Sequence, residues 1–263
     1  MRKALLLFGN EMEMFGNEME RDNLIESAVY LQNSLGFKIM PLYIKDMSRD
    51  KIIAASTDGM MMSGRSPFIM QGWADMEKQE IEDIEKVLKS KGIKSELEVD
   101  IGLVPEIVTD RMKSCDILLI GKNEAITERI VSILKGNYKS IIFIGEKPLK
   151  RMEKVIIAND DGVKINRSCY QFTNLFPEVK EFTSFVINKE IEENHLIGYL
   201  EGKEKTITHE VLNTTDYNEV LKKIDEYDFF IMGNLSRSYF FEKIIGKNGI
   251  KLLEKSKTPI FIG

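Results

Sequence analysis

The chain has only two cysteines and two histidines, and no apolar run longer than a strand. Cys115 and Cys169 stand far apart without C-x-x-C spacing, so no disulfide framework and no structural zinc pattern is suggested. Both read as buried, inert thiols. Apolar runs such as Ala4 to Phe8 and Ile117 to Ile120 fall well short of the roughly 20 residues that span a bilayer. The opening residues offer neither a secretory h-region nor a small-residue cleavage site after it, and a cytoplasmic protein without a membrane contact is expected. An excess of one charge is missing too: 37 Lys and Arg face 42 Asp and Glu. The mixture leaves no basic stripe that could release counterions from a phosphate backbone, so nucleic acid is not an expected partner. His195 and His209 fall near no Ser, Cys or carboxylate pattern that would build a triad or a metal face. Solvent or packing roles are expected for both, with no metal site and no catalytic residue.

What the sequence does have is alternation. Strand-like runs at Lys3 to Phe8, Lys38 to Ile44, Ser95 to Asp100, Asp116 to Gly121 and Ser140 to Gly145 are separated by helical periods. Leu24, Ala28, Leu31 and Leu35 share one helix face, as do Ile81, Ile84 and Leu88. The charges of Glu77 to Lys91 form the wet side of the second helix. The plan then repeats, with strands expected at Lys154 to Asn159, Glu181 to Asn188, Lys205 to Leu212, Asp228 to Gly233 and Thr258 to Gly263. The repeat is visible in the letters: Cys115 to Gly121 parallels Tyr227 to Gly233, and Ile142-Phe143-Ile144-Gly145 recurs as Ile260-Phe261-Ile262-Gly263. Two α/β domains follow, 1–148 and 151–263, divided near Pro148, which can continue neither a ladder nor a helix interior. A seven-residue tandem duplication, Phe8 to Met14 and Phe15 to Arg21, lengthens the first loop. It reads as a neutral insertion in a tolerant loop. Met60, Met61 and Met62, with Phe68, Ile69 and Met70, make a second loop apolar; core or lid packing and a partner contact are both open.

Five parallel strands per half, the short segment Gly102 to Ile107 after the third, and an Asp-apolar-Gly fourth strand resemble the universal stress protein family. The resemblance implies two tandem Rossmann-like domains, each a five-stranded parallel sheet ordered 3-2-1-4-5 with flanking helices. Ligands would lie outside the carboxyl ends of the strands, at the switch between the first and fourth. Nucleotide-binding members carry an Asp after strand one and G-x2-G-x9-G-[ST] after strand four. There glycines admit phosphate to the backbone, and a helix N-terminus favours the anion. In the second half Gly233 and Gly246 keep that spacing, Ser236 replaces the middle glycine and Lys247 the final hydroxyl residue. Asp160 matches the strand-one Asp, and Val186 the residue whose backbone faces adenine in family members. Lys247, with Arg237 and Lys243, could compensate by charge. A purely structural crossover is the alternative for this loop, and Asp160 followed by Asp161-Gly162 could equally cap a turn or the next helix.

The first half departs further. Phe8 or Gly9 stands where the Asp belongs, and Gly121 to Gly145 spans 24 positions against 30 for Gly233 to Gly263. The missing residues fall where a phosphate would be wrapped, so the first domain should not take ATP in the family manner, and changing Lys122 should not affect binding. The resemblance thus implies a non-catalytic binding or regulatory protein of the stress response, with an adenine nucleotide, ATP or AMP, in the second domain only. An interaction protein with both sites defunct is one alternative. The other is an ATP-pyrophosphatase-like hydrolase, which would need a Ser-Gly-Gly-like loop that neither Asn10-Glu11 nor Asp161-Gly162 supplies. A protein partner is expected but has no sequence signature. Family members dimerise through the fifth strand, so the two fifth strands should pair within the chain as an internal pseudo-dimer, leaving a homodimer optional.

Overall fold

The computed structural model describes residues 1–9, 18–47, 67–122, 128–136, 139–188, 191, 194–233 and 249–263. In the first half β1 (Lys3–Gly9), α1 (Glu18–Leu35), β2 (Lys38–Asp46), α2 (Pro67–Ser90), β3 (Glu98–Gly102), α3 (Val104–Met112), β4 (Ile117–Gly121), α4 (Glu128–Gly136) and β5 (Ser140–Ile144) alternate. The second half repeats the order with β6 (Val155–Ala158), α5 (Val163–Leu175), β7 (Glu181–Ile187), α6 (His195–Glu201), β8 (Thr206–Leu212), α7 (Tyr217–Ile224), β9 (Phe229–Met232), α8 (Gly249–Lys255) and β10 (Ile260–Ile262). Each expected strand is present, with its ends moved by a few residues. β3, for example, runs Glu98–Gly102 rather than Ser95 to Asp100.

All ten strands join one sheet in the order β3-β2-β1-β4-β5-β10-β9-β6-β7-β8. Each half therefore has the 3-2-1-4-5 order, and the fifth strands meet as expected, antiparallel, with Phe261 opposite Ile142. The inner strands β4, β5, β6, β9 and β10 are buried along their whole length, as continuous apolar strands covered on both faces must be. Right-handed crossovers put α1 and α2 on one face and α3 and α4 on the other; Lys91 of the turn after α2 pairs with Glu26 of α1 at 3.4 Å.

The antiparallel seam relates the halves by rotation about an axis normal to the sheet, so α1 and α5 share a face. There Phe37 packs on Phe176 with ring centroids 5.7 Å apart, and Arg2 donates to the carbonyls of both Leu35 and Leu175, ending α1 and α5 with one guanidinium. The repeated Asp has a repeated task. Asp116 Oδ2 accepts the Lys3 N–H at 2.6 Å and Asp228 Oδ2 the Lys154 N–H at 3.0 Å, which clasps the fourth strand to the first in each half. Between the halves Leu149 is buried, and its N–H donates to Ser27 Oγ. No helix of the described residues is long and apolar enough to cross a membrane.

Candidate functional site

β6 lies between β9 and β7, and its neighbours are reached by crossovers on opposite faces, so its carboxyl end is the switch point of the second half. The chain leaves β6 through Asn159, which is wholly buried and fully engaged. Its Nδ2 donates to Ser184 Oγ at 2.9 Å and to Asn194 Oδ1 at 3.1 Å, while its Oδ1 accepts the Asp161 N–H at 2.8 Å. Asp160 follows, half-buried, with Oδ1 accepting the Gly162 N–H at 2.9 Å in an Asx turn. This is the turn-capping role weighed for it, and Oδ2 accepts nothing from the described residues. Asp161 takes a left-handed φ of 50°. Its carboxylate accepts the N–H groups of His195 and Leu196 and meets His195 Nδ1 at 2.8 Å. Burial opposes its ionisation, but the His195 ring and those backbone donors hold its carboxyl below the usual range.

These contacts give the solvent or packing roles expected for the histidines their particular partners. Sequence spacing missed His195 because the return from β7 into α6 brings it 34 residues back to Asp161. His209 meets Ser184 Oγ at 3.3 Å because the parallel register sets the two residues side by side. The Asn-Asp-Asp-Gly run was the available signal, though only its first Asp was weighed.

Gly233 ends β9 beside this turn, Ile231 being opposite Ile157. A Cβ at Gly233 would lie 3.2 Å from Ile165 N and Lys164 Cβ, so strand end and helix start meet closely only because the residue is glycine. α5 begins there with Gly162 as its N-cap and no side-chain cap. Val186 is buried in β7 opposite Val211. Phe185 O accepts the Asn159 N–H and Asn188 N–H donates to Leu212 O. By alternation Val186 turns its backbone to β8, and the edge facing the cleft above β6 belongs to Ile187. Asp160, Ile187 and Gly233 thus stand at the carboxyl ends of the adjacent strands β6, β7 and β9, and Val186 does not face them. Ser236, Gly246 and Lys247, like Arg237, Lys243 and the loop of Met60 to Met62, lie outside the described residues.

At the matching end of the first half, Phe8 is wholly buried and Gly9 closes β1. Lys122, the residue after β4, is 3% exposed and runs into the seam between the halves. Among the described residues no cluster of three His, Cys, Asp or Glu could hold a metal ion.

No family model matches the chain, and no curated protein matches it in sequence. Solved structures do match in shape. A universal stress protein from Archaeoglobus fulgidus superposes with a TM-score of 0.65 at 11% identity, over 98% of this chain and 94% of its own. A protein assigned to the universal stress proteins from Pseudomonas aeruginosa gives 0.52 at 10% identity, over 99% and 92%. At such identities the likeness is one of fold, and it extends across both halves: the chain has the universal stress protein fold, doubled in tandem along one polypeptide.

Proposed function

We propose that the protein is a non-catalytic binding or regulatory module that takes an adenine nucleotide at the carboxyl ends of β6, β7 and β9, and in the second half only. The observation that carries this reading is the convergence of Asp160, the β7 strand end and Gly233 on the switch point of one half, where the other half presents Phe8 and Gly9. In this reading Asp160 Oδ2 accepts from a ribose hydroxyl, the Ile187 backbone edge meets the base, and phosphate oxygens lie toward the start of α5.

Mass spectrometry of the denatured full-length protein, followed by calorimetric titration with ATP and AMP, tests the reading. Asp160→Ala should weaken binding about tenfold, the worth of one hydrogen bond to a charged group, while Gly9→Asp should leave affinity unchanged. Affinity indifferent to Asp160→Ala would sink the assignment. A second reading, an interaction protein without nucleotide, draws support from the polar floor of Asn159, Ser184 and Asn194, which fills part of the cleft with its own hydrogen bonds. It predicts that no nucleotide is released and no heat is measured. The hydrolase alternative gains nothing, since the turn after β6 runs Asn159-Asp160-Asp161-Gly162 and offers no Ser-Gly-Gly-like phosphate loop.

A further inference from the structure

Lys122 stands directly after β4, where a nucleotide-binding half would begin to wrap phosphate. Its N–H donates to Ile144 O at 2.8 Å, and its side chain crosses the seam. Nζ donates to Leu253 O at 2.7 Å, to Glu254 O at 3.3 Å and to Ser256 O. An ammonium has three donors, and all three are used. The acceptors are carbonyls at the end of α8, the groups that a helix C-terminus leaves without intrahelical partners and that carry the negative end of its dipole. A second observation shows that the channel is built for this side chain. A Cβ on Gly145 would lie 2.6 Å from Lys122 Cε and 3.2 Å from its Cγ, so the glycine that ends the fifth-strand motif makes room for the lysine stem. Within its own half, Asp225 Oδ1 accepts the Lys257 and Thr258 N–H groups beyond the helix.

We propose that the first half serves as a strut for the second, with Lys122 as the positioning residue that fixes the end of α8. This inference does not depend on the nucleotide reading. Burial pushes the Lys122 pKa down to about 8 against the raising influence of Asp225, Glu146, Glu20 and Glu254, so the ammonium persists at neutral pH.

Hydrogen exchange read by mass spectrometry on the full chain tests the strut. In Lys122→Met, and in Gly145→Ala with Lys122 still present, amide protection over residues 252–258 should fall on the order of tenfold or more, the cost of losing a charged donor. Protection in α1, β6 and β7 should stay. Lys147→Met is the control: Lys147 also crosses to the second half, donating to Asp225 O at 2.7 Å, but from an exposed position, and its loss should change little. In Lys122→Ala, propylammonium should restore protection at the end of α8, and propanol, of similar shape, should not. Unchanged protection in Lys122→Met, loss spread evenly over the sheet, or equal rescue by the alcohol would each overturn the proposal.

Discussion

Phe8 and Asn159 occupy the same place at the end of the first strand of each half, and both are wholly buried. Phe8 contributes only apolar surface there, whereas Asn159 joins Ser184, Asn194 and Asp161 in a hydrogen-bonded floor. One position on, Gly9 stands opposite Asp160. After the fourth strand, the first half sends Lys122 into the seam, while the second has six more residues between Gly233 and Gly263. The second helices diverge as well, α2 running 24 residues and α6 only 7, although both edge strands, β3 and β8, are largely exposed. The same sheet thus supports two ends of different chemistry. The first is committed to packing and to holding its neighbour, and the second keeps polar atoms at the switch point.

Exchanging the two buried residues would break that contrast most forcefully. Phe8→Asn removes a fully buried ring and leaves an amide in the apolar core, opposite Tyr43 of β2. The cavity and the unsatisfied polar group together should cost about 4 kcal/mol or more. The reciprocal Asn159→Leu strands the Asp161 N–H, while the Ser184 hydroxyl keeps His209 as its partner, at roughly 2 kcal/mol. Urea midpoints measure both. A Phe8→Asn variant as stable as the parent would mean that the first strand end is wetter than its burial implies.

The parts of this architecture legible in the sequence are those written in local patterns. Buried strands such as Ile117 to Ile120 appear as apolar runs, and the repeated Asp of Asp116 and Asp228 marks the fourth strand because each clasps the start of the first. Pairing of β5 with β10 was implied by the family resemblance, with two apolar edges that needed cover as its physical reason. Lys122 was unreadable: a lysine after a strand looks like surface, and its acceptors lie 131 residues and more away. The Asp161 to His195 contact hid for the same reason, its partners lying 34 residues apart. Gly233 was legible by spacing, but its reason, close approach to Lys164 and Ile165, needed the fold.

Alkaline titration sharpens the contrast at the seam. A Lys whose pKa falls from 10.5 to about 8 on folding binds its proton more weakly in the folded state. Below pH 8 both states carry the charge, and its burial counts against the fold. As the pH climbs from about 8 to 10.5 the folded state sheds the proton first, so stability rises, by up to roughly 3 kcal/mol for this group. Denaturant unfolding of the parent minus that of Lys122→Met, taken from pH 7 to 11, isolates the effect, because the other lysines and tyrosines cancel. A difference that falls with pH instead would show that the α8 carbonyls hold the ammonium more firmly than water does, a tighter strut than burial alone allows.

The smallest expected effect belongs to the turn that distinguishes the second half. Asp161 sits at φ 50°, a conformation Asn adopts nearly as readily, so Asp161→Asn isolates charge from backbone strain. The amide oxygen can still accept the Leu196 N–H, now 2.9 Å from Oδ1, but the anion facing the start of α6 and the His195 ring is lost. Charge at a helix start contributes 0.3–1 kcal/mol in typical cases, so a loss of about 1 kcal/mol at pH 7 is expected. The carboxyl is held below its ordinary value, so its contribution is complete above the unfolded pKa of 3.8 and disappears as the pH falls through the lower folded value. Parent and Asp161→Asn should therefore converge in stability at strongly acidic pH, as followed by denaturant unfolding from pH 7 to 2. A gap that stayed constant across that range would assign the loss to hydrogen-bond geometry, and the charge of Asp161 would then do nothing to hold α6 over the end of β6.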